Sequence, residues 1–140
     1  MKINKTIASG ILFATMAVSV QAEIAVIVSR DNQNAQINPD TIARIFLAKS
    51  ASFPNDIDAV AVDMKKDSDE YGEFTDSFLD KTPNQLATYW SRLIFTGRAR
   101  PNKEVSSATE MKKLIAKNSN MIGYIDVKDI DPSVRVVAKK

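Results

Sequence analysis

The strongest constraint on the fold is a run of five consecutive apolar residues at positions 24–28. Successive side chains of a strand point to opposite faces, so a strand over 23–28 has apolar residues on both faces. Strands of that kind are covered on both sides, as in sheets that carry helices on their two faces. The run therefore predicts an interior strand of a layered α/β domain.

Helix and strand signals alternate along the rest of the chain. Asn38 followed by Pro39 predicts a helix start, and capping boxes at 82–85 and 107–110 predict two more. A further helix is predicted over 70–80, and residues 98–103 are interpreted as a basic loop. The remaining strands are predicted over 59–62, 121–125 and 133–138. The order β-α-β-α-α-α-β-β predicts a mixed, mostly parallel sheet of about four strands flanked by helices.

The amino-terminal residues have the pattern of a secretory signal peptide. Lys2 and Lys5 precede an apolar run over 7–20, and Val20 and Ala22 are small residues at the positions that signal peptidase reads. The apolar run is shorter than the roughly 20 residues that a membrane-spanning helix needs. We therefore expect a signal peptide over 1–22, cleaved after Ala22, and a single domain over 23–140. The mature chain is expected to be periplasmic, with no transmembrane segment.

Composition excludes several classes of function. The chain has no cysteine and no histidine, so it cannot form disulfides or a Ser-His-Asp or Cys-His catalytic site. Without Lys2 and Lys5, 17 basic residues remain against 17 acidic ones, and the mature chain is neutral. A neutral chain argues against binding to nucleic acid, which depends on clustered positive charge. We predict a non-enzymatic protein without a cofactor, a metal site or catalytic residues.

Several segments together resemble one protein family. They are IFLAK at 45–49, Phe53-Pro54, YWSRLIFTG at 89–97 and MIGYI at 121–125. They resemble the substrate-binding proteins of phosphate ABC transporters (PstS-like), and more narrowly the small, single-lobe members of that type II periplasmic binding protein group. The resemblance covers nearly all of 23–140. It implies one lobe of a fold that, in full-length members, clamps phosphate between two lobes.

The turn that would hold phosphate departs from the pattern of that family. Members carry an arginine and then a Ser-Gly-Thr turn that opens a helix, whose free N–H groups bind the anion. Here Ser68 matches the hydroxyl, but Asp69 and Glu70 replace the next two residues, and Asp63 lies near the strand end. Carboxylates at this turn would repel phosphate. The turn is open to three interpretations, namely a helix cap, a site for a cationic or zwitterionic ligand, and an oxygen-ligand cation site.

Basic and hydroxyl residues elsewhere supply other candidates for ligand binding. Arg98 and Arg100 lie near the capping box at Ser106 and Ser107, which could itself hold an anion, although a solvated loop is the alternative. Arg30 follows the first strand, at the end where such sheets bind ligands. The candidate ligand-binding residues are Ser68, Arg98, Arg100, Ser106, Ser107 and Arg30.

Two functions remain open at this point. The first is an exported, non-enzymatic binding protein for phosphate or another small anion. The second is a ligand-free structural or interaction module that contacts another envelope protein or associates with itself. The helix after Pro83 carries a wide apolar stripe, which predicts core packing, with an exposed aromatic platform as the alternative. The stripe consists of Leu86, Tyr89, Trp90, Leu93 and Ile94.

Overall fold

The computed structural model describes residues 14–17 and 22–140. The predicted signal peptide lies almost entirely outside the described residues, so its cleavage stays a prediction. The strands are β1 (Ile24–Ser29), β2 (Val60–Met64), β3 (Lys103–Val105), β4 (Met121–Asp126) and β5 (Val134–Lys139). The helices are α1 (Pro39–Phe46), α2 (Asp69–Ser77), α3 (Pro83–Phe95) and α4 (Ala108–Lys117), and a 3-10 turn covers Val127–Asp129.

The five strands of the described residues form one mixed sheet in the order β3-β2-β4-β1-β5. β2 pairs in parallel with β3 and β4, whereas β1 pairs antiparallel with β4 and β5. Four strands therefore run in one direction and β1 runs against them. This confirms the predicted α/β class and the mostly parallel, mixed sheet. The sequence analysis missed β3, which begins at the end of the segment interpreted as a loop.

The sheet has helices on both faces, as the apolar run of β1 predicted, and all six residues of β1 are buried. On one face, the aromatic rings of Phe46 from α1 and Phe74 from α2 lie against Tyr124 of β4, with ring centroids 5.7 and 3.9 Å away. On the other face, α4 approaches β4 closely at Gly123. A Cβ atom at Gly123 would collide with the side chain of Met111 and lie 3.3 Å from that of Ile115.

We expect Gly123→Ala to lower the free energy of unfolding by about 1 to 2 kcal/mol, because the added methyl group forces a closely packed layer apart. Gly72 in α2 is the matched control, since a Cβ atom there would meet nothing within 4 Å. Gly72→Ala should raise stability by about 0.5 to 1 kcal/mol through helix propensity. Urea unfolding of both variants measures the two changes in the free energy of unfolding. Changes in the same direction for both variants would contradict the packing argument.

α3 packs less deeply than its apolar stripe predicted. Leu86 is buried, but Tyr89, Trp90 and Leu93 are only partly buried, and Ile94 is 45% exposed. The next residue, Phe95, is 93% exposed. The prediction of a fully inward stripe was therefore wrong for Ile94, because the carboxyl-terminal turn of α3 has no layer over it.

Within the described residues, no helix is long and apolar enough to cross a membrane.

Candidate functional site

Two loops that carry candidate residues meet at the carboxyl edge of the parallel strands. Since β2 and β3 run in parallel, their carboxyl ends share one edge, and the Lys65 amide donates to the Val105 carbonyl across it (3.0 Å). Ser68 follows the first of these strands, and Ser106 and Ser107 follow the second. Open α/β sheets bind ligands at such an edge. The structure therefore brings these three serines to the expected side of the sheet.

Two of the three serine hydroxyl groups at this edge serve as helix caps. The Ser68 hydroxyl accepts from the Tyr71 amide (3.2 Å) and donates to the Lys65 carbonyl (2.7 Å). The Ser107 hydroxyl accepts from the Glu110 amide (3.1 Å). These bonds satisfy backbone groups that a helix leaves free at its first turn. Of the three interpretations of the turn at Ser68, the structure confirms the helix cap.

Carboxylates from the chain itself surround both helix starts. A carboxylate oxygen of Glu110 accepts from the Ser106 amide (2.8 Å), so an internal anion already lies at the start of α4. The cavity beside the start of α2 is lined by Asp67, Asp69 and Glu73, with Lys66 as its cation. A second anion at either position would be repelled by these charges. Within the described residues, no group of three or more carboxylates is arranged to hold a metal ion.

Arg30 lies at the opposite edge of the sheet from the three serines. The cause is the direction of β1, which runs against the other strands, so its carboxyl end meets their amino ends. The Arg30 guanidinium donates to the Pro132 carbonyl (2.9 Å), which ties it to the turn before β5. The sequence analysis placed Arg30 at the ligand-binding end of the sheet, but the structure separates it from Ser106 and Ser107, which lie at the other edge.

Arg98 and Arg100 line a cleft at the amino edge of β2 and β3. The cleft also contains Lys103, and none of its lining residues is acidic. The three basic side chains form no salt bridge within the part of the chain that the structure describes. The remaining lining residues are mostly small or apolar, and they come from the end of α1, the segment before β2, β2 itself and the loop before β3. They are Ile45, Ala48, Ser50, Ala51, Ala59, Val60, Ala61, Ala99, Pro101 and Asn102.

The candidate residues thus form three separate groups. The serines lie at one edge of the sheet, and Arg98, Arg100 and Arg30 lie at the other. Along that second edge, β4 separates β1 from β2, so Arg30 is displaced from the basic cleft by about two strand spacings, roughly 10 Å. The basic cleft is the place where candidate residues combine positive charge with a concave surface.

A buried polar network at Asp63 joins the basic cleft to the core. One carboxylate oxygen of Asp63 accepts from the Asn102 side-chain amide (3.0 Å), and the other accepts from the Tyr124 hydroxyl (3.1 Å). The Tyr124 hydroxyl accepts in turn from the Met64 amide (3.0 Å). Asn102 also donates to the Phe46 carbonyl (3.0 Å). The network ties β2, β4, α1 and the loop before β3 to one another.

The Asp63 carboxyl has a raised pKa. Burial raises the pKa of Asp63 to about 6, although the hydrogen bonds from Asn102 and Tyr124 act in the opposite direction. Burial and the nearby Asp63 charge also raise the pKa of Tyr124 well above its usual value. A small cavity beside the network is lined by Trp90, Tyr71, Lys66 and Glu104. Perturbed carboxyl groups of this kind are concentrated at functional sites.

Comparison with known proteins supports the fold and leaves the activity open. No protein-family model matches the sequence, and no curated protein matches it. Solved structures do match. An ABC-type phosphate transport receptor from Vibrio cholerae is 16% identical, with a TM-score of 0.55, over 83% of this chain and 46% of its own. PstS from Borrelia burgdorferi is 18% identical, with a TM-score of 0.61, over 84% of this chain and 47% of its own.

A third match was solved with bound phosphate. It is a protein from Clostridium perfringens assigned as a phosphate ABC transporter substrate-binding protein, 21% identical, with a TM-score of 0.61. The match covers 83% of this chain and 45% of the Clostridium perfringens protein. The chain thus spans less than half of the proteins it matches. The chain therefore has the fold of a single lobe similar to part of the phosphate-transporter substrate-binding proteins, as its sequence motifs implied.

Proposed function

We propose that this protein is an exported, non-enzymatic binding module of the periplasm that binds a small oxyanion of the phosphate class. The signal-peptide pattern over 1–22 supports export. The likeness to substrate-binding proteins, one of them solved with phosphate, supports a binding role. The lack of histidine and cysteine also favours binding over catalysis.

In this proposal the anion binds in the basic cleft between Arg98, Arg100 and Lys103. The observation that carries it is the presence of three basic side chains, with no salt bridge in the described residues and no acidic residue in the cleft lining. Arginine guanidinium groups bind phosphate oxygens through two parallel hydrogen bonds. The serine edge is the poorer position, because Glu110, Asp67 and Asp69 already supply negative charge there.

Calorimetric titration with inorganic phosphate tests this proposal. We expect Arg98→Ala/Arg100→Ala to weaken phosphate binding at least about tenfold, because two charged donors are lost. Lys113→Ala/Lys139→Ala is the matched control, since it removes two positive charges that do not line the cleft. Chloride at equal ionic strength separates specific binding from screening.

Three outcomes of this titration would overturn part or all of the proposal. Absence of phosphate binding by the unaltered protein would reject it. Equal weakening in the arginine variant and the lysine control would reject the cleft as the site. Loss of binding in Ser68→Ala, with the arginine variant unaffected, would assign phosphate to the helix start of α2 instead.

The second candidate function is a ligand-free interaction module of the cell envelope. The exposure of Phe95 and Ile94 at the end of α3 favours this function, because contact with another protein would cover apolar side chains that the lobe itself leaves exposed. Failure to bind phosphate, sulfate or related anions would favour this function over the first.

A further inference from the structure

The lining of the basic cleft divides into two parts of different chemistry. Its basic side chains all come from residues 98–103, between the end of α3 and the start of β3. The other part, which we call the apolar wall, comes from the end of α1, the segment before β2 and the start of β2. It consists of Ile45, Ala48, Ser50, Ala51, Ala59, Val60 and Ala61. Of these, only Ser50 is polar, and its hydroxyl already donates to the Ser52 carbonyl (3.2 Å).

The cleft is larger than a phosphate ion. Its volume is about 380 Å³. The four oxygens of phosphate fill roughly 120 Å³, if each takes the share of about 30 Å³ that a water molecule has in the liquid. A bare ion at the arginines would therefore leave water against the apolar wall, where Ala48 and Ala51 are exposed and Val60 is 39% exposed. An apolar group attached to the ion would displace that water, which is favourable.

Ala48 has a backbone conformation that is unusual for a residue with a side chain. It follows the last turn of α1 with a φ of 55°, a left-handed conformation in which glycine is the usual residue. Its amide donates to the Ile45 carbonyl (3.1 Å), and the Lys49 amide donates to the Arg44 carbonyl (2.8 Å). Glycine would make the same two bonds without the strain that a Cβ atom adds. The methyl group of Ala48 does, however, supply surface to the apolar wall, and strained residues are concentrated at ligand sites.

We propose that the cleft binds a phosphate monoester of a small apolar group, with the phosphate on Arg98, Arg100 and Lys103 and the apolar group against the apolar wall. This assignment rests on the anion site of the proposed function and adds the substrate class of that site. The guanidinium groups fix the orientation of the ligand, and burial of its apolar part adds affinity. Sites for small molecules commonly combine a mostly apolar lining with a few polar groups in this way.

Calorimetric titration with phenyl phosphate and with inorganic phosphate tests the inference. We expect phenyl phosphate to bind at least about tenfold more tightly. That gain needs burial of about 55 Å² of apolar surface, about a third or less of what an aromatic side chain buries in a protein. Benzyl alcohol carries the ring without the phosphate, so we expect it to bind at least about tenfold more weakly than phenyl phosphate.

Val60→Thr tests the position of the apolar group. The substitution puts a hydroxyl group in the apolar wall and keeps the branched side chain that suits strand β2. We expect it to reduce the preference for phenyl phosphate over inorganic phosphate at least about threefold. Ile57→Thr is the matched control, because Ile57 is 47% exposed and does not line the cleft. Thermal unfolding of both variants checks that the fold is kept.

Ala48→Gly separates a ligand contact from a structural role. Glycine relieves the backbone strain, so we expect the midpoint of thermal unfolding to rise by about 2 to 4 °C. The substitution also removes a methyl group from the apolar wall, so the preference for phenyl phosphate should fall about threefold. A residue with only a structural role would change the unfolding midpoint and leave the preference unaltered.

Vesicles distinguish two sources of such a ligand, a free monoester and a lipid headgroup. The probe is phosphatidylcholine vesicles that contain phosphatidic acid, whose headgroup is a phosphate monoester. Cosedimentation with these vesicles that Arg98→Ala/Arg100→Ala abolishes would assign the ligand to a lipid. Binding of phenyl phosphate without cosedimentation would assign it to a free monoester, and either result supports the inferred chemistry.

Equal affinity for phenyl phosphate and inorganic phosphate would overturn the inference and leave the proposed function in place. Equal preferences in Val60→Thr and Ile57→Thr would also overturn it. Absence of binding by both anions would reject the proposed function as well. Binding of phenyl phosphate alone would support the inference and reject the bare ion as the ligand.

Discussion

Replacing Phe74 by alanine is expected to lower the free energy of unfolding by about 3 to 5 kcal/mol. Phe74 is fully buried, and its ring stacks on Tyr124 with a centroid separation of 3.9 Å and lies 4.6 Å from that of Phe46. Removing the ring leaves a cavity between α2 and β4 that rigid strand neighbours cannot fill. Urea unfolding measures the change.

Phe95→Ala is the matched control for this experiment. The chemical change is the same, but Phe95 is exposed, so the free energy of unfolding of the protomer should change by about 0.5 kcal/mol or less. The comparison is made at a protein concentration where sedimentation shows a monomer. Similar losses for the two variants would mean that Phe74 is not a packing centre.

The same aromatic stack positions the polar network beneath it. The Phe74 ring contacts the rings of both Tyr124 and Phe46, and the Tyr124 hydroxyl reaches the Asp63 carboxylate at 3.1 Å. Loss of the Phe74 ring therefore loosens the donor that holds this carboxylate. Packing of the Phe74 ring in α2 is therefore coupled to the protonation of Asp63 in β2.

Local signals in the sequence predicted most of the elements of this fold. The helix starts at Asn38, Thr82 and Ser107 were correct because capping is a contact between residues two or three positions apart. The apolar run of β1 correctly predicted an interior strand. Its direction could not be predicted, since burial on both faces is the same for a parallel and an antiparallel neighbour. This ambiguity is the reason for the unexpected position of Arg30.

The features that sequence reasoning missed depend on distant contacts. β3 has three residues and buries only Val105, so it carries no periodic signal. The exposure of Ile94 depends on which layers cover the end of α3, and no local pattern encodes that. Asp63 meets Asn102 and Tyr124, which are 39 and 61 residues away in the sequence. The sequence analysis interpreted Asp63 as a residue near the strand end where the family carries an arginine. That interpretation gave no indication of a buried network.

Asp63→Asn is expected to stabilise the protein at neutral pH. Burial raises the folded-state pKa of Asp63 to about 6, from the ordinary aspartate value of 3.8, so the folded protein holds the proton more tightly than the unfolded chain. The contribution of Asp63 to stability is therefore greatest below pH 4 and falls as the pH rises toward and past 6. The difference between the two pKa values corresponds to about 3 kcal/mol, an upper limit for the gain in Asp63→Asn at pH 7.5.

Urea unfolding of the unaltered protein and Asp63→Asn between pH 4 and 7.5 measures this effect. The advantage of the variant should grow with pH, because asparagine never carries the buried charge. Its single carbonyl oxygen can accept from Asn102 or from the Tyr124 hydroxyl, and the loss of the other hydrogen bond does not depend on pH. Asp131→Asn is a control of opposite sign, since hydrogen bonds from Lys112 and Ser133 lower the pKa of Asp131 to about 2. That variant should lose stability at neutral pH, and the loss should shrink below pH 4, so its unfolding is measured down to pH 2.

A constant difference between Asp63→Asn and the unaltered protein over this pH range would mean that the Asp63 carboxyl titrates normally. A growing difference would mean that the protein keeps a charge that destabilises its own fold at neutral pH. Groups retained at such a cost are typical of binding and catalytic sites, where function opposes stability. Since Asn102 joins Asp63 to the lining of the basic cleft, the ionisation of Asp63 would then be expected to change anion affinity there.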